Sequence, residues 1–419
     1  TNKTVWGKSE YKGKPWVENV SRPNTITDGL NGRHFSIWSS HGRYYDANKG
    51  AWKWQRPNLF GTTEDLYTQT IVIPYLFPML ENAGAVVVSP RERDWQKQEV
   101  IVDNDNPRAN GKDTYQEVNN KKKWGAAIGS GFAFHQGTYA DSENPFVAGS
   151  ARQIKSRKRN SKLSHISYQP IIPEDGSYAV YVSYKTVKKS IDDAEYIVFH
   201  KGQETRFHVN QQMGGGTWVY LGTFAFDKGC NIYNRVVLTN HSKRRGFVTA
   251  DAVRFGGGMG NIVRGGQVSG LPRTLEGARY YTQWAGAPRY VVSRSNGAND
   301  YNDDINTRSL YTNWLAGGSP YIPNKEGLKV PIELTLGVHS DAGVKADGTT
   351  VGTLSICTTQ QGNATLGQLE ERTHINRNSI RSYLNDFIAR NILERRSRKI
   401  RDVNAQYGFK QDPSELKQD

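Results

Sequence analysis

From Val330 the chain alternates: Val330, Ile332, Leu334, Leu336 and Val338 are apolar, with Pro331, Glu333, Thr335 and Gly337 between them. A period of two is that of a half-buried strand, and this strand ends in His339-Ser340-Asp341. Three hundred residues earlier the pattern recurs on a shorter scale: Phe35, Ile37 and Ser39 alternate, and His41-Gly42 follows. Thr62-Thr63-Glu64-Asp65 then opens an apolar stretch of helical length from Leu66 to Ala83. Thr62 or Thr63 suits its cap, the acids suit its positive end, Gly84 suits its exit, and Pro74 and Pro78 should kink it. Ala85 to Val88 is the next buried strand. The right-handed crossover rule makes this strand, helix, strand unit parallel, which puts His41 and Glu64 on one edge of the sheet.

After Asp94 the pattern changes. From Glu99 to about Gly258 short alternating runs are bounded by Gly, Pro, Asn and Asp, the signature of a sandwich or jelly roll. The runs are 176–184, 196–200, 205–209, 218–226, 235–239 and 246–255, and in the first of them Tyr178, Val180, Val182 and Tyr184 share a face. Past Gly258 the mixed pattern returns, with a strand expected over 289–293, a polar Asn- and Asp-rich loop over 296–306, and a helix over 307–315. A strand over 353–357 and a helix over 379–396 follow. In that helix Ile380, Tyr383, Leu384, Phe387 and Ile388 lie on one side. The fold class that emerges is an α/β domain with a mixed, mostly parallel sheet and flanking helices, interrupted by an inserted all-β sandwich. The expected boundaries are 1–95, 96–258 and 259–419. The polar segment 1–31 is expected to wrap the surface.

Composition adds limits. A chain of 419 residues has ample core. A formal net charge of +15 favours anionic partners, either acidic glycans and a cell envelope or nucleic acid. No helical or zinc-finger signature accompanies the charge, so nucleic acid is not the expected partner. Cys230 and Cys357 form no disulfide framework and no metal knot. No run of eighteen apolar residues exists, so no transmembrane segment is expected.

Two histidines and a carboxylate at one sheet edge match the three-ligand pattern of catalytic zinc sites. In order and position, His41-Gly42, Glu64, Arg91-Glu92-Arg93-Asp94 and Gly337-Val338-His339-Ser340-Asp341-Ala342 resemble the zinc-dependent N-acetylmuramoyl-L-alanine amidases of bacterial cell-wall turnover. The chain departs from that family in carrying Ser340-Asp341 for Ala-Asn, Ser39-Ser40 before His41 for Pro-Gly, and a longer interval from His41 to Glu64. The resemblance implies Zn²⁺ on His41, Glu64 and His339, with Glu64 preferred to Asp65, and with Asp341 orienting a histidine or substrate. It also implies a general base on a late strand, for which no counterpart stands before Asp419, so a chain cut short at its carboxyl end is expected. Glu333 cannot serve, because six strand residues put it roughly 20 Å from His339.

A second resemblance covers the middle third. Pro173 to Tyr178, Val209-Asn210-Gln211, Gly216 to Phe224 and Thr249 to Phe255 resemble golvesin C-terminal domains, a type also named for xanthan lyase carbohydrate-binding regions. Together the two resemblances imply a secreted, periplasmic or envelope-associated protein whose partner is peptidoglycan or an anionic glycan. The alternatives are a carbohydrate-binding protein without catalysis, and another zinc hydrolase such as a carboxypeptidase or deacylase.

Overall fold

The computed structural model describes residues 11–340, apart from 59, 60 and 136, together with two short strands, Leu393–Arg395 and Tyr407–Phe409. Residues 11–341 cluster as one compact unit and the chain ends as another. In the second unit the two short strands pair antiparallel. The helix expected over 379–396 therefore gives way to a strand at 393–395, and its remainder, like the strand expected over 353–357, lies outside the described residues.

Three parallel strands form the first layer, in the order Leu334–Val338, His34–Ser39, Val86–Val88. Phe35, Ile37, Val87 and Ala85 point to one side, where they meet Val72 and Phe77. On the other side Ser36 Oγ lies 2.7 Å from Thr312 Oγ1 on the helix Asp300–Ala316. The run that leads into Val86–Val88 is helical but broken into Glu64–Tyr67, Gln69–Ile71, a π turn Val72–Leu76, and Phe77–Asn82. Pro74 has no N–H to give to the ladder, and a π turn is one way a helix absorbs that loss. Thr63 caps the start, its hydroxyl accepting from the Asp65 N–H at 3.4 Å. At the far end Gly84 adopts φ +101°, Ala85 N–H reaches Leu80 O at 3.0 Å and Gly84 N–H reaches Glu81 O at 3.1 Å. These two bonds make a Schellman stop.

The all-β region is a sandwich of antiparallel sheets. A six-stranded sheet runs Val17–Asn19, Gln203–Val209, Ala194–His200, Arg235–Thr239, His165–Tyr168, Tyr115–Val118. Against it pack a four-stranded sheet (Val219–Phe226, Gly176–Val182, Val253–Phe255, Val100–Val102) and a three-stranded one (Gly125–Gly131, Gly149–Lys155, Phe247–Ala250). The ring of Phe224 on the one layer meets His200 and Phe207 on the other. The expected strand over 246–255 is split at Asp251-Ala252, where the chain passes from one sheet to the next. The buried Asp251 carboxylate accepts the Phe132 N–H there.

Several expectations are corrected. Segment 289–293 is a helix, Arg289–Val292, led by Pro288, whose carbonyl accepts the Val291 N–H at 2.9 Å. Packing against the helix Asp300–Ala316 overrides the β preference of Val291 and Val292. That helix begins seven residues before the expected 307, inside the supposed polar loop. The Asn299 side chain caps it at Asn302 N–H (3.1 Å), with Asp300 and Asp303 in its first turn. Segment 1–31 does more than wrap the surface: Val17–Asn19 adds an edge strand to the six-stranded sheet, and buried Trp16 donates its indole N–H to Tyr184 OH at 2.6 Å. Arg152 lies on the strand Gly149–Lys155 and pairs with Glu117 at 2.6 Å. Finally, Ala179 and Tyr181 are as buried as Tyr178, Val180 and Val182. The alternation predicted one covered face; the second is covered by Glu92 and Arg254.

Candidate metal centre

The centre strand ends in a braced corner. Ser40 N–H donates to Val338 O at 2.7 Å, and Ser40 Oγ lies 2.7 Å from Thr68 Oγ1. Arg308 donates to Ser40 O at 3.0 Å. Arg91, buried, reaches Ser39 O, Ser39 Oγ and Thr274 O, each at 3.0 Å. Gly42 follows because nothing larger fits: a Cβ there would stand 2.4 Å from the backbone of Glu276. Between these fixed points the side chain of His41 is held over the strand's carboxyl end, where open α/β sheets bind ligands.

Neighbouring elements bring two more groups to it. Glu64 is the first helical residue after its cap, and His339 follows the adjacent parallel strand. One ligand atom from each of His41, Glu64 and His339 lies within 4.8 Å of the others. His339 Nδ1 is 3.0 Å from Glu64 Oε1, which also accepts the Ser340 N–H at 3.2 Å. The two imidazole rings stand 4.7 Å apart between centroids. Glu64 Oε2 is buried and has no hydrogen-bond partner, and Arg56 Nε lies 3.5 Å away. A carboxylate with one oxygen beside two imidazoles and the other buried without a hydrogen-bond partner is what a divalent cation would satisfy, so these residues fit zinc.

Asp65 takes a different part from its neighbour. Its Oδ1 lies 3.1 Å from His41 Nδ1, and its Oδ2 accepts the Arg56 N–H at 3.1 Å. A carboxylate hydrogen-bonded to one nitrogen of a histidine sets the tautomer and ring orientation. Burial, and then Arg308 and Arg56, push the His41 imidazole down to about 2, so it stays neutral with a lone pair to offer. Burial pushes the Asp65 carboxyl up.

Asp341 lies outside the described residues. Glu333 sits at the opposite end of its strand, bound to Arg33 and to Tyr321 OH at 2.8 and 2.7 Å. Sequence reasoning missed Arg56 and Arg308. Arg56 follows the hairpin Arg43–Asp46 and Ala51–Trp54, which accounts for the long interval between His41 and Glu64. The segment 91–94, singled out only by analogy, is a seam. Glu92 pairs with Arg254 at 2.7 Å and accepts from Tyr181 OH, and Asp94 accepts the Ala179 N–H at 2.7 Å.

Comparison with known proteins bears on the sandwich. Residues 130–257 match the golvesin C-terminal domain family. A xanthan lyase of Bacillus sp. (strain GL1) is 34% identical over 92 residues, which is 22% of this chain and 10% of that protein. The structure of Paenibacillus xanthan lyase aligns at 24% identity over 38% of this chain and 13% of that one, with a TM-score of 0.27. An exo-β-1,3-galactanase of Phanerochaete chrysosporium aligns at 11% identity over 38% and 29%, with a TM-score of 0.24. The chain thus spans about a tenth of the curated relative it matches, and His41, Glu64 and His339 stand outside the family match. Its middle third is a β domain similar to the golvesin C-terminal domain.

Proposed function

We propose that this is a secreted or envelope-associated, glycan-directed protein in which the sandwich engages carbohydrate and His41, Glu64 and His339 hold a Zn²⁺ ion for hydrolysis of an amide bond in peptidoglycan, that between the muramyl lactyl group and L-alanine. The observation that carries the catalytic half is the convergence of three ligand atoms within 4.8 Å from segments 275 residues apart. Zinc in such a site supplies Lewis acidity for a carbonyl and lowers the pKa of water to roughly 7. The chain's own residues hold and shape the site, while the general base expected on a late strand has no counterpart among the described residues: His41 remains neutral, Asp65 fixes its ring, Ser340 N–H and His339 hold Glu64 Oε1, and Arg56 Nε stands 3.5 Å from Glu64 Oε2. The test is zinc stoichiometry of the purified chain, followed by mass spectrometry of peptidoglycan fragments. One zinc per chain and release of peptides bearing a free L-alanine amine are expected. A chain that takes up no zinc ends the catalytic reading.

The second reading, a carbohydrate-binding protein without catalysis, is favoured by the golvesin-like match and by the xanthan lyase likeness. Under it the chain is retained by insoluble glycans equally well with His41→Ala and leaves every amide intact.

A further inference from the structure

Four loops gather at one end of the sandwich. Asn120 N–H donates to Ser164 Oγ at 2.9 Å and Ser164 Oγ to Lys122 O at 2.5 Å, joining segment 119–123 to 163–164. Arg157 N–H bonds Asn240 O at 2.8 Å and Ser156 N–H bonds Gly246 O at 2.9 Å, joining 156–157 to 240–246. Phe247 N–H bonds Lys189 O at 2.9 Å, which ties in the fourth loop. Within 119–123, 156–163, 187–190 and 240–246 there are twelve lysines and arginines and no aspartate or glutamate. Those twelve nearly account for the formal net charge of +15, so the rest of the chain is close to balanced. Among the described residues, Arg244 alone of the twelve lies within ion-pair distance of a carboxylate, at 3.0 Å from Asp192.

We infer that this basic crown is a binding surface for an anionic polysaccharide, one whose carboxylate or phosphate groups repeat along the polymer. So many like charges repel one another, a cost that a polyanion relieves while it releases its counterions. The same four segments contain no phenylalanine, tyrosine or tryptophan on which bases could stack, and no helix to enter a groove. That favours a polysaccharide over nucleic acid. The crown and the metal centre draw on different residues, so the inference stands or falls apart from the zinc reading.

The test uses the full chain and fluorescence anisotropy of labelled polymers over a range of salt concentrations. The probes are polygalacturonate for carboxylate, long-chain polyphosphate for phosphate, a 20-base-pair DNA duplex and neutral dextran. One variant combines Lys121→Gln, Lys122→Gln, Lys158→Gln and Lys243→Gln, all exposed. Lys162 and Lys189 stay in place because their φ values of 54° and 70° shape the turns. The control variant carries the same charge change at exposed Lys49, Lys97, Lys112 and Lys228. Polygalacturonate or polyphosphate, but not dextran, should bind the native chain. The crown variant should bind at least about tenfold more weakly at low salt, with a shallower salt dependence, and the control should stay within about threefold. Which of the two polyanions binds more tightly identifies the charged group. Equal weakening in both variants, no weakening in either, or duplex DNA binding more tightly than both polyanions would overturn the inference. Unchanged thermal midpoints in both variants establish that folding is not the cause.

Discussion

The parallel sheet and the sandwich differ in how they use burial. In the sandwich, strands such as Gly176–Val182 and Val253–Phe255 are covered on both faces and feed one continuous core. The parallel sheet has only a small core of its own, and its outer strand leaves Leu334 49% and Leu336 40% exposed. Its ordering comes instead from polar bonds at the strand ends: Ser40 on Thr68, Arg91 on Ser39, Arg308 on Ser40. The difference teaches where chemistry can reside. Packing closes the sandwich over an apolar core, whereas a region closed by hydrogen bonds at one edge holds His41, Glu64 and His339 together at a sheet end.

The sharpest way to break this contrast is at the seam. Glu92 and Arg254 are both fully buried and 2.7 Å apart. Arg254→Met leaves a carboxylate unpaired in the interior, so urea unfolding should show a loss of about 3–5 kcal/mol, partly recovered in the Glu92→Gln, Arg254→Met double variant. Separate melting of the two regions in the native chain would mean that the seam does not couple them.

Next in size is the ligand effect. At free zinc a hundredfold above its dissociation constant the native chain should gain about 2.7 kcal/mol in thermal unfolding, and His41→Ala and His339→Ala should gain none. Asp65→Asn, which keeps the shape but weakens the grip on His41, should lower zinc affinity about 10- to 100-fold by calorimetry. On the sandwich side, burial and then Asp105 hold the Asp103 carboxyl up at about 7, against roughly 3.9 in an unfolded chain. Because the folded state binds that proton more tightly, the group's contribution is complete below about pH 4 and is lost as pH rises through about 7. Asp103→Asn should flatten that decline in denaturant titrations from pH 4 to 8. The smallest effect expected is at the helix cap: Thr63→Ala should cost about 1 kcal/mol and, by loosening Glu64, weaken zinc binding modestly.

Legibility followed the source of order. Gly176–Val182, Ala194–His200 and Arg235–Thr239 were readable because apolar residues repeat with the period of a strand. The helix Asp300–Ala316 was misplaced because the face it buries includes Asp300, Asp303, Asp304, Thr307 and Arg308. Asp300 answers Arg264 at 2.7 Å and Asp304 answers Gln55 at 2.6 Å, so no hydrophobic period marks that face. The helix Arg289–Val292 was misread for the opposite reason, since its valines favour a strand until neighbouring helices enclose them.

Local pattern alone established that His41 and His339 end strands and that Glu64 opens a helix, because each position depends on periodicity and capping within a dozen residues. It could not establish that Asp65 turns toward His41, that a hairpin delivers Arg56 to Glu64, or that residues 91–94 bind the sheet to the sandwich. Those outcomes rest on contacts between segments far apart in the chain. Burial there favours pairing of polar groups, and the choice of partner depends on which segments the whole fold brings together.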